Sequence, residues 1–179
     1  YVDVPAWAGV RYRELYPGTY DRVRDTSRPA PGNHDEHSTP PFSGYDRFWG
    51  PAAHLPERYY SFDLGGWHIV SLDSMTFIDG GAPAAAQLAW LQRDLAAHPG
   101  KPVIAYWHHP YFSNAKHNGQ PKMRPIWEAL SAHGPALVFG GHNHVYERFA
   151  PLTADGKVVP EAKGVRQFVV GPGGATPVE

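Results

Sequence analysis

Two short hydrophobic runs flank a pair of glycines in the middle of the chain. Aromatic and β-branched residues dominate positions 58–64 and 67–73, and Gly65 and Gly66 lie between them. Adjacent glycines suit the two-residue turn that joins antiparallel strands, because both can adopt a positive φ. The pattern predicts a β-hairpin. Over residues 84–98 the leucines recur at helical spacing, which predicts an amphipathic helix.

Two continuous apolar runs follow this helix. They cover residues 102–107 and 136–139, with a second helix predicted over 124–133 between them. Each run leads directly into a cluster of polar residues. Strand, helix and strand in this order predict an α/β sheet with a functional site at the carboxyl ends of its strands. Two late strands are predicted over residues 146–152 and 165–170.

The first 57 residues show little periodicity and are rich in Pro, Gly, Tyr and Arg. We interpret them as ordered loop, apart from a short helix over 7–15. A chain of 179 residues with 42% hydrophobic residues can bury one substantial core, so we expect a single domain over 1–179.

Composition excludes several kinds of site and partner. The net charge of -1 gives no basic footprint for nucleic acid, so no nucleic-acid partner is expected. Cysteine is absent, which excludes disulfides, thiolate ligands and cysteine nucleophiles. The sequence contains no apolar run long enough to predict a membrane span, and no signal peptide is visible. Any metal site must therefore use nitrogen and oxygen ligands.

Histidines are concentrated at the two predicted strand ends. His142 and His144 stand two residues apart after the second apolar run, and His108 follows the first. Carboxyl ends of neighbouring parallel strands meet at one edge of a sheet, so the three imidazoles are expected to converge. An isolated pair of this kind is more often bonded to backbone carbonyls. Three converging nitrogens favour a metal site instead.

A third polar cluster, Gly32-Asn33-His34-Asp35, stands in the loop-rich first part of the chain. Its asparagine carbonyl can coordinate a hard metal ion, and the adjacent histidine can donate a proton. Taken alone, the tetrapeptide equally suits an Asx-type turn with an exposed histidine.

Together, GNHD, His108-His109-Pro110 and GHNH resemble the motifs of the calcineurin-like metallophosphoesterase superfamily. The segments that begin at Ser27, Trp107 and Gly141 are similar to purple acid phosphatases and their secreted bacterial relatives. The resemblance implies an α/β (α+β sandwich) fold of two mixed sheets flanked by helices. It also implies a dinuclear centre of two divalent or mixed-valence ions, with iron, zinc or manganese as the candidates.

Residue by residue, the resemblance implies that one metal is bound by Asn33, His108 and His142, and the other by His144. It places His34 beside the phosphate as the catalytic proton donor. His117, nine residues after His108, is the expected substrate-binding histidine. His109 is expected to support the ligands without binding metal. The remaining histidines, which are His37, His54, His68, His98 and His133, are interpreted as structural.

Two aspartate-containing motifs of the family do not occur before residue 32. Tyr1 stands where the family places a metal-binding tyrosine, so we expect the chain to begin on that tyrosine. We also expect the domain to be truncated at its N-terminus and to lack a strand or two at its C-terminus. The expected reaction is hydrolysis of a small phosphate monoester by a secreted or periplasmic enzyme. The alternatives are a phosphodiesterase on the same fold and an incompetent fragment that lacks the aspartates. The oligomeric state stays open.

Overall fold

A computed structural model describes residues 22–173, and β-strands form its centre. The strands are β1 (Tyr60–Leu64), β2 (Trp67–Ser71), β3 (Val103–Trp107), β4 (Ala136–Gly140), β5 (Tyr146–Arg148) and β6 (Val165–Val170). They form one sheet in the order β1-β2-β3-β4-β6-β5. The four strands β2, β3, β4 and β6 are parallel, whereas β1 and β5 pair antiparallel at the two edges.

The mixed sheet confirms the expected α/β class, but only one sheet lies within residues 22–173 where two were expected. β5 is also shorter than the strand predicted over 146–152. Leu152 instead makes isolated bridges to Val158 and Val165. The predicted helix over 7–15 and Tyr1 lie outside the described residues.

The β1–β2 hairpin confirms the prediction made from the glycine pair. Leu64 pairs with Trp67 across the turn, and Gly65 and Gly66 have φ values of 56° and 89°. Both values lie in the region that L side chains avoid, so glycine at both positions allows the two-residue turn.

Four α-helices flank the sheet in the described part of the chain. They are α1 (Ser43–Trp49), α2 (Ser74–Asp79), α3 (Gly81–Ala97) and α4 (Arg124–His133). Short 3-10 turns occupy Arg24–Thr26, Asp35–His37, Gly50–Ala53, Pro121–Met123 and Glu161–Lys163. The helices α3 and α4 confirm the predicted helices over 84–98 and 124–133. None of the described helices is long and apolar enough to span a membrane.

Helix α1 corrects the interpretation of residues 1–57 as loop. Its seven residues bury Tyr45 and Phe48 on one side. Arg58, which lies outside the helix, forms an ion pair with Asp46 within it. Its Nη2 lies 2.6 Å from Oδ2 and its Nε 2.8 Å from Oδ1 of that carboxylate. Two helical turns are too short to produce a clear periodic pattern, and these tertiary contacts stabilise the helix instead.

The main core lies between the sheet and helices α3 and α4. Leu91, Ile126, Trp127 and Leu130 are fully buried there. Buried and half-buried residues alternate along β3 and β4, so the buried side chains of each strand lie on one face of the sheet. This face packs on the helices. The arrangement anchors both strands and thereby fixes the position of the polar residues that follow their carboxyl ends.

Candidate metal centre

Three potential ligand atoms from distant parts of the chain converge at the carboxyl edge of the sheet. Nε2 of His108 lies 2.7 Å from Oδ1 of Asn33. The same nitrogen lies 3.3 Å from Nδ1 of His142. Ligand atoms that share one ion at about 2.1 Å lie roughly 3 Å apart, so this spacing fits a common metal. The structure therefore brings together the three residues expected to hold one metal.

The pairing of β3 with β4 places His108 beside His142. Trp107 and Gly140 are register partners at the strand ends, and Gly141 N donates to His108 O over 2.9 Å. A Cβ added at Gly140 would lie 3.0 Å from Cβ of Pro110. The small residue at this position therefore permits the two strand ends to approach closely.

The backbone of the loop over residues 141–144 adopts an uncommon conformation at His142. Its φ is 59°, in the left-handed region that few residues other than glycine occupy. The next residue, Asn143, is fully buried. Gly171, just after β6, packs so closely that an added Cβ would lie 2.0 Å from Asn143 O. The surrounding structure thus holds the conformation of His142, as is common at functional sites.

A cavity of about 110 Å³ joins the fourth expected ligand to the first three. His144 lines this cavity together with His108 and His142, and Gly141, Val170, Gly171 and Gly173 complete its wall. The volume exceeds that of one water molecule several-fold, so there is room for an ion and its remaining ligands.

Burial and neighbouring imidazoles keep His108 and His142 neutral. Burial, followed by His109, His142, His34 and His144, lowers the pKa of His108 well below its usual value. Burial also lowers the pKa of His142 to about 4, with smaller effects from other histidines. A neutral imidazole retains the lone pair that a metal requires, so the environment favours coordination near neutral pH.

His34 and His117, the two histidines expected to contact substrate, both lie near the ligands. His34 is half-buried, and its electrostatic effect reaches His108 and His142. The backbone forms a turn around His34, because Oδ2 of Asp35 accepts a hydrogen bond from Gly32 N over 2.8 Å. This closed turn differs from the Asx-type turn that GNHD alone also suits, because the carboxylate bonds to an amide three residues before it and the histidine is half-buried rather than exposed.

His117 is exposed to solvent, and its ring centroid lies 5.1 Å from that of His142. Its backbone amide donates to Oδ1 of Asn143 over 3.1 Å. An exposed imidazole at the border of the ligand cluster is available to a bound substrate.

His109 lies closer to the ligands than sequence reasoning anticipated. Its potential ligand atom lies within 4.8 Å of those of His108 and His142, and the three form an imidazole-only group. Its Nδ1 lies 2.9 Å from Oγ of Ser74, and its ring packs 4.3 Å from that of His142. Sequence reasoning missed Ser74, whose role depends on helix α2 packing against the end of β3. That His109 supports the ligands without binding metal remains a prediction.

A second group of potential ligands lies at the opposite edge of the sheet and has a structural arrangement. His68 is buried, and its two ring nitrogens lie 3.0 and 2.7 Å from carboxylate oxygens of Asp63 and Asp94. Its ring stacks on that of His98 at 3.8 Å with an interplanar angle of 20°. Nearly parallel stacked rings cannot both direct in-plane lone pairs at one ion. The group therefore fits a hydrogen-bonded cluster that joins the hairpin to helix α3.

Comparison with known proteins identifies the family. Residues 7–146 match the calcineurin-like phosphoesterase family, and the chain belongs to it. It is 33% identical over 144 residues to probable purple acid phosphatase 20 of Arabidopsis thaliana, covering 69% of this chain and 32% of that protein. It is 30% identical over 145 residues to acid phosphatase type 7 of Homo sapiens, covering 68% and 32%. The sequence resemblance is thereby confirmed.

A solved structure gives the same fold. The purple acid phosphatase isolated from yellow lupin (Lupinus luteus) seeds superposes with a TM-score of 0.51 at 21% identity. The match covers 73% of this chain and 27% of the lupin chain. This chain thus spans about a third of the length of the curated relatives it matches.

Proposed function

We propose that the protein hydrolyses phosphate monoesters at a two-metal centre. The convergence of Asn33, His108 and His142, with spacings of 2.7 and 3.3 Å around one nitrogen, carries this proposal. Membership of the calcineurin-like phosphoesterase family supports it. These three residues would hold one metal, and His144 would hold the other.

The donor set fits iron, zinc or manganese, because imidazole and carbonyl ligands suit all three. Two such ions, when bound, lower the pKa of a coordinated water and neutralise charge on the phosphoryl oxygens. The chain itself supplies neutral imidazoles at His108 and His142 and a loop conformation fixed by Gly171.

His34 and His117 would act on the substrate. In this proposal His34 donates a proton to the leaving alkoxide, which is the step that general acid catalysis accelerates. His117, at the exposed border of the cluster, donates a hydrogen bond to a phosphoryl oxygen and so holds the ester in place.

Hydrolysis of p-nitrophenyl phosphate tests the proposal. The metal-loaded protein should release p-nitrophenol from the monoester faster than from bis(p-nitrophenyl) phosphate, and His142→Ala should lose both metal and activity. Faster cleavage of the diester would identify a phosphodiesterase. No cleavage of either ester, with two ions bound, would contradict the proposal.

One observation favours a second candidate, a chain that holds metal poorly and is inactive by itself. Within residues 22–173, the ligand group formed by His108, His109 and His142 consists of imidazoles only, whereas a bridging carboxylate normally compensates the charge of two close cations. Metal analysis of the purified protein separates the two candidates. Two ions per chain support the enzyme, and a value near zero supports the inactive chain.

A secreted or periplasmic location is part of the same proposal and is supported by the similarity to purple acid phosphatases. Fractionation of cells that express the full-length gene tests it. Recovery of the protein only with the cytoplasmic fraction would contradict it.

A further inference from the structure

The loop that carries His117 is attached to the metal-binding segment by one buried side chain. Asn143, between the two histidines of the GHNH motif, is 0% exposed. Its Oδ1 accepts from His117 N over 3.1 Å. Its Nδ2 donates to Asn118 O over 3.1 Å and to Ser113 Oγ over 2.9 Å. A single amide therefore holds both ends of the segment 113–118.

A carboxylate on β5 completes the attachment. Ser113 Oγ donates to Oε2 of Glu147 over 2.6 Å, and Asn114 N donates to Oε1 of the same residue over 2.9 Å. The segment is thus hydrogen-bonded to residues on both sides of His144, and each polar group of Asn143 has a partner.

We infer that Asn143 is a positioning residue that fixes His117 relative to the metal ligands His142 and His144. The inference rests on the proposed function, in which His117 contacts the phosphoryl group. Asparagine suits the position because one short side chain must accept one hydrogen bond and donate two. Aspartate lacks the donors and alanine lacks all three bonds. Since a substrate contact is effective only when held in place, loss of Asn143 should weaken phosphate binding through His117.

Gln87 provides a matched control. It is also fully buried, and its Oε1 accepts from Asp73 N over 2.9 Å. Its Nε2 donates to one backbone carbonyl, Asp73 O, and to one hydroxyl, Thr76 Oγ1. Both amides thus have the same set of partner types, but Gln87 holds helix α2, and none of its hydrogen bonds reaches the segment 113–118. Gln87→Ala therefore reports the general effect of removing a buried amide.

The first experiment measures amide hydrogen exchange in the metal-free protein. Asn143→Ala should accelerate exchange across residues 113–118, whereas Gln87→Ala should leave this segment unchanged and act near α2. Unchanged exchange over 113–118 in Asn143→Ala would overturn the inference. This result does not depend on any activity of the protein.

The second experiment measures binding of inorganic phosphate to the metal-loaded protein. Asn143→Ala and His117→Ala should each weaken phosphate binding about tenfold, the lower bound for removing a residue that orients a site. The double variant should be no weaker than either single variant, because Asn143 acts through His117. If the double variant weakens phosphate binding by the product of the two single-variant factors, the inference is overturned. Loss of metal from Asn143→Ala would also overturn it.

Failure of the proposed function gives a different result. If wild-type protein holds two ions but binds no phosphate, His117 has no role toward substrate, and this inference fails with the proposed function. The hydrogen-exchange result would then show only that Asn143 attaches the loop. Ser113→Ala, which keeps Asn143 and removes one of its partners, gives a smaller loss of phosphate affinity in the same direction. It tests the inference independently where Asn143→Ala does not fold.

Discussion

Nε2 of His108 lies 2.7 Å from Oδ1 of Asn33, although the two residues are separated by 75 positions in the chain. This contact links the loop-rich first part of the described chain to the carboxyl edge of the sheet. If both atoms bind the same ion, Asn33→Ala should weaken metal affinity at least roughly tenfold, which is the lower limit for removing residues that only orient ligands. Isothermal titration with Zn²⁺ measures the effect.

Asn114→Ala is the control for this change, because Asn114 is exposed. Its hydrogen bond to Glu147 is donated by the backbone amide, which alanine keeps. Equal zinc affinity of the two variants would contradict the assignment of Asn33 as a ligand.

His34→Ala should separate proton donation from metal binding. Because His34 is expected to protonate the leaving alkoxide, the variant should keep the metal content of the wild type while kcat for an alkyl phosphate such as glycerol phosphate falls about 10²-fold or more. The loss of rate should be smaller for p-nitrophenyl phosphate, because its more acidic leaving group needs less protonation. A variant whose kcat is unchanged would remove His34 from the mechanism.

Gly171→Ala should disrupt the loop over residues 141–144, which carries the expected ligands His142 and His144. The added Cβ would lie 2.0 Å from Asn143 O, a backbone atom that cannot move independently. We expect a loss of about 1–3 kcal/mol in the free energy of unfolding, as for overpacked cores, together with weaker metal binding. Gly173→Ala is the matched control, because nothing lies within 4 Å of its added Cβ. Urea unfolding compares them, and similar midpoints would refute the predicted clash.

Asp73→Asn should alter the pH dependence of stability. Burial raises the pKa of Asp73 to about 6 from its ordinary value of 3.8. The folded protein therefore binds more protons than the unfolded chain between these values, and the stabilisation present below pH 3.8 is lost as pH rises through 6. Asparagine can still accept the cap bond from Met75 N and stays neutral.

Asp73→Asn should therefore become more stable than wild type as the pH rises from 4 to 7. Its free energy of unfolding should exceed that of wild type by about 2–3 kcal/mol at pH 7. Chemical unfolding of the metal-free proteins across this range measures the difference. A difference independent of pH would show that Asp73 ionises normally. Asp79→Asn, a change at an exposed carboxylate of the same helix, is the control for the loss of one charge from α2.

Sequence reasoning predicted the elements that have many residues or a specific turn. The hairpin followed from Gly65 and Gly66, and α4 begins and ends at the predicted residues because proline and glycine mark its limits. Helix α1 was missed because its stability comes from the distant Arg58 rather than from its own periodicity. Local patterns do not contain such contacts.

The candidate site was predictable to a similar extent. Strand order brings His108 and His142 together, so their convergence followed from the pattern of strands. Asn33 could be connected with them only through family resemblance, since nothing local indicates where its loop lies. The burial of Asn143 depends on the fold of the segment 113–118, which has no periodic pattern. Tyr1 lies outside the described residues, and its role as a ligand stays a prediction.

The left-handed conformation of His142 has a consequence for the rate at which the site fills. The packing of Gly171 against Asn143 holds this conformation before any ion arrives. Capture of a metal then requires little reordering of the backbone, so association should be limited by loss of water from the ion. Release follows the same path in reverse and needs no opening of the loop. The lifetime of the bound ion should therefore follow directly from its equilibrium affinity.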